Sequence, residues 1–268
     1  MDQRPIGIFD SGLGGLTAAK ALEEILPGEN LIYFGDRANA PYGVREKDEL
    51  LALGTANAAF LCGFDVKAIL VACGTVSSNV LSAVEKRFPV PFFGVLDAPC
   101  AAAAARSAGR VAVAATEATI RSGAFARRLK ALRPGLEVFS KPCQSLVATV
   151  ERGHFCPGDA VAEAAVAEEL APIRDFRPDT LMLACTHFPL LREAVADYMG
   201  GGVTLLDVGA EAAKSVRAYL AENGLLARRE RATHRWFTSG SLAEFSEFAE
   251  IFLGHKVRPE AHRHDEST

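Results

Sequence analysis

Short apolar runs rich in β-branched and aromatic residues recur along the chain, at Ile6–Phe9, Leu31–Gly35, Ala68–Ala72, Phe92–Leu96, Val111–Ala114, Glu137–Ser140, Leu181–Ala184, Thr204–Asp207 and Arg235–Thr238. Between them lie longer stretches in which apolar residues return every three or four positions, at Leu16–Leu26, Lys47–Cys62, Ser77–Arg87, Pro99–Ser107, Ala118–Leu132, Asp159–Ile173, Leu190–Met199, Ala210–Asn223 and Leu242–Leu253. The first kind has the length of a buried strand and the second the period of a helix. Their alternation predicts an α/β protein with mainly parallel sheets.

The pattern also repeats. Pro5-Ile-Gly-Ile-Phe-Asp10-Ser-Gly and Gly109-Arg-Val-Ala-Val-Ala-Ala-Thr116 are each a strand followed by a turn, and each is followed later by an apolar run ending in Ala-Cys, at Cys73 and Cys185. This predicts two similar α/β lobes. Ligands of such sheets bind beyond the carboxyl ends of the strands, so motifs from both lobes can meet in an interdomain cleft.

Composition narrows the class. With 268 residues, 49% of them hydrophobic, and a mean hydropathy of +0.13, the chain can bury a large core. A net charge of −4 and a pI near 5.9, with both signs interspersed, give no footprint for nucleic acid or an anionic membrane. No apolar run is long enough to span a bilayer, and the first residues lack the apolar stretch of a signal peptide. The six cysteines form no Cys-x-x-Cys pair, which suits a reducing cytoplasm and argues against structural zinc or a thioredoxin-like site. Residues 259–268 are polar without a periodic apolar face, which predicts a loose tail; His262 and His264 within it carry little weight as ligands.

Candidate chemistry gathers at the predicted strand ends. Asp10-Ser11-Gly-Leu-Gly-Gly15 leaves the first strand and enters a helix, a place where free amides favour an anion such as a carboxylate; Thr17 stands where a dinucleotide fingerprint needs glycine. The same letters suit a tight turn capped by Asp or Ser. Cys73 and Cys185 would each lie at a helix start, where a thiolate is stabilised and the thiol pKa falls toward neutrality. Each is then a candidate general base, with His187 able to hold or relay the proton of Cys185 and Asp10 that of Cys73. A lone buried cysteine is more often a small apolar filler, the reading kept for Cys62, Cys100, Cys143 and Cys156.

Three further stretches are weaker. Asp36-Arg-Ala-Asn-Ala-Pro41-Tyr42-Gly43 suits a loop with substrate contacts or a plain structural turn. Thr116-Glu-Ala-Thr119 reads as a capped helix start whose hydroxyls could bind a carboxylate, and Glu151 as an acidic position normally found on a solvated surface.

Taken together, Ile8-Phe-Asp10-Ser11-Gly-Leu-Gly-Gly15, Ala40-Pro-Tyr42-Gly43, Ala72-Cys73-Gly74-Thr75, Ala115-Thr116-Glu-Ala-Thr119 and Ala184-Cys185-Thr186-His187-Phe-Pro189 resemble the bacterial glutamate racemases, in order and over most of the chain. The resemblance implies a cofactor-independent isomerase that makes D-glutamate for peptidoglycan, and so serves cell-wall biogenesis and cell shape from the cytoplasm. It implies Cys73 and Cys185 as the two acid/base catalysts, assisted by Asp10 and His187. It carries substrate contacts to Asp10, Ser11, Tyr42, Gly43, Gly74, Thr75, Thr186 and His187, and more loosely to Thr116, Thr119 and Glu151. It also implies that the chain after about residue 209 returns to the first lobe, giving 1–97 with about 210–258 and a second lobe over 98–209. The expected partner is a small amino acid; no metal, nucleic acid or membrane is expected, and a homodimer is the candidate assembly. One departure stands out: the family usually has Asn where this chain has Gly74, so a side-chain amide is missing from the site.

Other readings stay open on the residues alone. Aspartate or another amino acid could be the substrate. Cys185, His187 and Asp10 could form a cysteine hydrolase, which leaves Cys73 unused. Cys73, Cys185 and His187 could hold a metal, though no dense ligand cluster appears. The missing amide at Gly74 also fits a noncatalytic amino-acid-binding sensor. Nothing in the sequence suggests the lysine and phosphate site of a pyridoxal enzyme.

Overall fold

The structure is a computed structural model and describes residues 2–264. Strands β1 (Ile6–Asp10), β2 (Leu31–Gly35), β3 (Ala68–Val71), β4 (Phe92–Gly94), β5 (Arg110–Ala115), β6 (Glu137–Pro142), β7 (Thr180–Leu183), β8 (Thr204–Asp207), β9 (His234–Thr238) and β10 (Pro259–Ala261) form two sheets. The first runs β10-β9-β2-β1-β3-β4 and the second β6-β5-β7-β8, with every neighbouring pair parallel. Continuous apolar strands fit this arrangement because helices cover both faces: every residue of β1, β2, β3 and β7 is buried. The α/β expectation with two parallel sheets holds.

The two sheets share a local topology. In each, the first strand in the chain lies between the second and the third, so the connections part to opposite sides of β1 and of β5. The crevices at the carboxyl ends of β1/β3 and β5/β7 are therefore equivalent switch points, the positions where such sheets bind ligands. Cys73 and Cys185 follow β3 and β7.

The helix Val208–Glu222 leaves the second sheet and lays Ala212, Ala213, Val216 and Leu220 against the helix Leu16–Ile25 that follows β1. It starts sharply because the Asp207 carboxylate accepts hydrogen bonds from the Gly209 and Ala210 amides.

Several details depart from the periodic reading. The expected helix Ser77–Arg87 begins earlier, at Gly74, and breaks at Val80 into two further short turns. Here Ser77 bonds back to the Val71 carbonyl and takes a bond from Val95, tying the turn to the sheet. The stretch Ala118–Leu132 divides at Gly123, whose φ of 64° a continuous helix cannot hold. A helix over Gln144–Glu151, missed by the periodicity reading, buries Leu146, Val147 and Val150.

The loose-tail expectation is corrected for residues 259–264. Pro259–Ala261 extends the first sheet, and the His262 amide bonds to the Thr238 carbonyl. His262 stacks on Phe60, and His264 meets Phe34 edge-on and bonds to Asn57. Backbone pairing and aromatic contact hold this segment, neither of which needs the apolar period that was absent. Residues 265–268 of that expectation lie outside the described residues.

Candidate active site

The turn after β1 is built around Asp10. Its Oδ2 accepts from the Gly12 and Gly15 amides at 3.1 and 3.0 Å, and the side chain is fully buried. A Cβ at Gly15 would sit 2.4 Å from the Asp10 Cβ, and one at Gly14 only 2.4 Å from Thr186 Oγ1. These glycines allow the turn to close on its own aspartate and allow Thr186, from the second sheet, to come against it. Burial raises the Asp10 pKa, while His187 and the amides of Gly15, Ser11 and Gly12 draw it down. Asp10 lies behind the cavity without lining it; Ser11 and Gly12 form the surface there.

Beyond the carboxyl ends of both sheets is one cavity shared by the two. The first lobe lines it with Ser11, Tyr42, Gly43, Cys73, Gly74 and Thr75; the second lines it with Thr116, Thr119, Glu151, Cys185, Thr186 and His187. Every candidate site residue except Asp10 is thus brought to the same surface. The structure adds Gln144 and Val147, both from the helix that the sequence pattern did not reveal.

The two thiols have different neighbours. Burial drives the Cys73 thiol up to about 12, and the nearby Asp10 charge adds to this; the Val76 amide, the Ser11 hydroxyl and the Thr75 amide pull the other way. The expected fall toward neutrality is therefore corrected: a helix start cannot offset near-complete burial beside a carboxylate. Cys73 thus favours the protonated thiol at neutral pH.

Cys185 Sγ lies 3.8 Å from His187 Nδ1, and His187 Nε2 lies 3.4 Å from the Glu151 carboxylate. Burial opposes the imidazolium, yet the contacts with Cys185 and Glu151 outweigh it and raise the His187 pKa to about 10. Arg37 continues the chain, bonding Glu151 at 3.1 Å and Glu244 at 3.0 Å. Glu151 has its pKa lowered by His187, against burial, with Arg37 helping. The surface carboxylate of the sequence reading is half-buried and joined to the cavity.

Hydroxyls bridge the lobes: Thr75 Oγ1 is 3.2 Å from Thr116 Oγ1, which is 3.0 Å from Thr119 Oγ1. The Tyr42 hydroxyl is committed elsewhere, donating to Asp36 at 2.6 Å and accepting from Asn57 at 3.0 Å. Gly74 has no room for a side chain, since a Cβ there would lie 2.8 Å from the Ala184 carbonyl oxygen. Among the described residues, no group of three or more His, Cys, Asp or Glu side chains is arranged to hold a metal ion, and no helix is long and apolar enough to cross a membrane.

Such a site can hold a small polar molecule between a protonated thiol and a second sulfur that stands beside an imidazolium. Comparison with known proteins agrees with this chemistry. The chain is 39% identical to a glutamate racemase of Desulforudis audaxviator over 267 residues, covering 97% of each chain. A solved glutamate racemase of Bacillus anthracis superposes with a TM-score of 0.94 at 32% identity, and one of Francisella tularensis, in complex with D-glutamate, with 0.90 at 34% identity; each comparison covers 98% of both chains. Two aspartate racemase-like structures, from Picrophilus torridus and Pyrococcus horikoshii, share the fold at 17% and 18% identity, with TM-scores of 0.57 and 0.56. The model of the Asp/Glu/hydantoin racemase family matches residues 17–216, and the chain belongs to that family.

Proposed function

We propose that the protein interconverts L- and D-glutamate by proton transfer at Cα between Cys73 and Cys185. One observation carries this reading: two thiols at equivalent strand ends of two similar sheets line a single cavity. Inversion needs a base on one face of Cα and an acid on the other. One sulfur, as thiolate, takes the Cα proton; the thiol opposite gives its own proton to the carbanion, so each turnover leaves the two sulfurs with exchanged roles. A carbanion beside a carboxylate is costly. Fixed donors lower that barrier: the Thr75, Thr116 and Thr119 hydroxyls with the Gly74 and Thr186 amides hold the substrate carboxylates, alongside Ser11 and the backbone of Tyr42 and Gly43. His187 accepts the proton from Cys185 and is held for it by Glu151, while Asp10 acts from behind by fixing the Ser11 turn.

The lobes are read as 1–97 with about 210–258, and 98–209, supported by the membership of the strands in the two sheets and by the packing of the helix Val208–Glu222 on the first lobe. The product would serve peptidoglycan synthesis in the cytoplasm, with a homodimer as the working assembly. Glutamate is favoured over aspartate by the full-length relatives at 35–39% identity, whereas the aspartate racemases share the fold alone. The test is a chiral assay in D₂O with no added cofactor, using glutamate and aspartate in parallel. Racemised glutamate carrying deuterium at Cα is the expected product; inversion without solvent deuterium, or no inversion, overturns the reading.

A further inference from the structure

Two solvent-sealed side-chain atoms of the cavity lining lack a hydrogen bond, His187 Nε2 and Gln144 Oε1. His187 Nε2 has the Glu151 carboxylate at 3.4 Å. Gln144 Oε1 has no such neighbour. Buried acceptors are rarely left unpaired, because the bond to water is lost without replacement.

The fold sets where Gln144 stands. Gln144 opens the helix Gln144–Glu151, which is anchored by buried Leu146, Val147 and Val150 and by the Cys143 amide bonding to the Ala115 carbonyl at 2.9 Å. Its Oε1 faces the first lobe, 3.4 Å from where a Cβ of Gly43 would stand. Position 74 can offer no side chain to the site.

We propose that Gln144 is a substrate-binding residue, its amide oxygen accepting a hydrogen bond from the α-ammonium of the bound amino acid. The proposal rests on the racemase reading for the identity of that ligand. At neutral pH both carboxylates of glutamate are acceptors, so the ammonium is the substrate's strong donor and the natural partner for an orphaned oxygen. Gln144 thus provides from the second lobe the amide contact that glycine at position 74 cannot.

The experiment compares binding of two ligands to the whole protein and to Gln144→Met, which keeps the length of the side chain. Glutamate carries both carboxylates and the ammonium; glutarate carries only the carboxylates. Losing a hydrogen bond to a charged group should weaken glutamate by roughly tenfold or more in Kd, while glutarate shifts by less than about twofold. Retained glutarate binding also shows that the variant site is folded. Unchanged glutamate affinity overturns the proposal. So does an equal loss for both ligands, which would assign the amide to a carboxylate or to packing. Because the readout is binding, a wild-type protein that binds glutamate with this contrast but does not racemise it would sink the racemase reading and leave the role of Gln144 standing.

Discussion

The surroundings of Cys73 and Cys185 differ more than the matching strand ends suggest. Both sulfurs are nearly buried, and each follows the third strand of its sheet. Burial keeps the proton on the Cys73 sulfur, and the charge beside it, the Asp10 carboxylate, adds to this. Beside Cys185 the charge is that of His187, whose proton is held by Glu151 and, beyond it, Arg37. Similar lobes have thus been given unlike electrostatics. The comparison teaches that one sulfur stands beside a carboxylate and the other beside an imidazolium, an asymmetry that suits an exchange that must run both ways. Because the equilibrium constant of a racemisation is one, no substitution can favour one direction in kcat/KM; the asymmetry must be sought in partial reactions and pH dependence.

The largest effect should come from removing one sulfur at a time. Cys73→Ser and Cys185→Ser are each expected to lower racemisation by about 10²-fold to 10⁴-fold, the usual contribution of a general acid or base. Each variant should keep slow exchange of the Cα hydrogen with D₂O for one enantiomer only, the opposite one in the two variants. Exchange of both enantiomers in either variant would break the assignment of one sulfur to each face.

A smaller effect is expected from Glu151→Gln, which preserves shape but removes the charge holding His187. Loss of a charge-assisted contact should lower kcat/KM by roughly tenfold to hundredfold. The alkaline limb of the pH profile should also move to lower pH, since burial alone pulls the His187 pKa down. A fall in rate with the limb unmoved would make Glu151 a packing residue.

The smallest effect is on stability. His187 is raised from 6.5 to about 10 and Cys73 from 9.0 to about 12, so both hold their protons more tightly when folded. Their stabilising contributions are complete below the unfolded values and fall away as pH rises, over 6.5 to 10 for His187 and 9 to 12 for Cys73. Urea midpoints should therefore decline from neutral pH upward, and His187→Asn should flatten the lower part of that decline. Parallel curves for the two proteins would show that His187 stores no such energy.

Much of this was legible in the letters. Apolar runs such as Ala68–Val71 and Thr180–Leu183 mark buried parallel strands because burial on both faces leaves no alternation to blur them. The repeated Ala-Cys endings marked the two sulfurs, since strand ends are where such sheets expose chemistry. The helix bearing Gln144 and Glu151 was harder to see: it is short, follows Pro142 and Cys143 directly, and carries Thr149 on its buried side. The strand Pro259–Ala261 was hidden for another reason, because its support is backbone pairing with His234–Thr238 rather than its own side chains.

The sequence by itself determined the α/β alternation, the near repetition of the two halves and the pair of cysteines, because these follow from local periodicity and the spacing of residues in the chain. Tertiary structure alone decided the protonation of Cys73, the chain of contacts from His187 through Glu151 to Arg37, and the place of Gln144 in the cavity wall. Burial and electric field depend on what the other lobe brings within a few ångströms, and no stretch of the chain encodes that by itself.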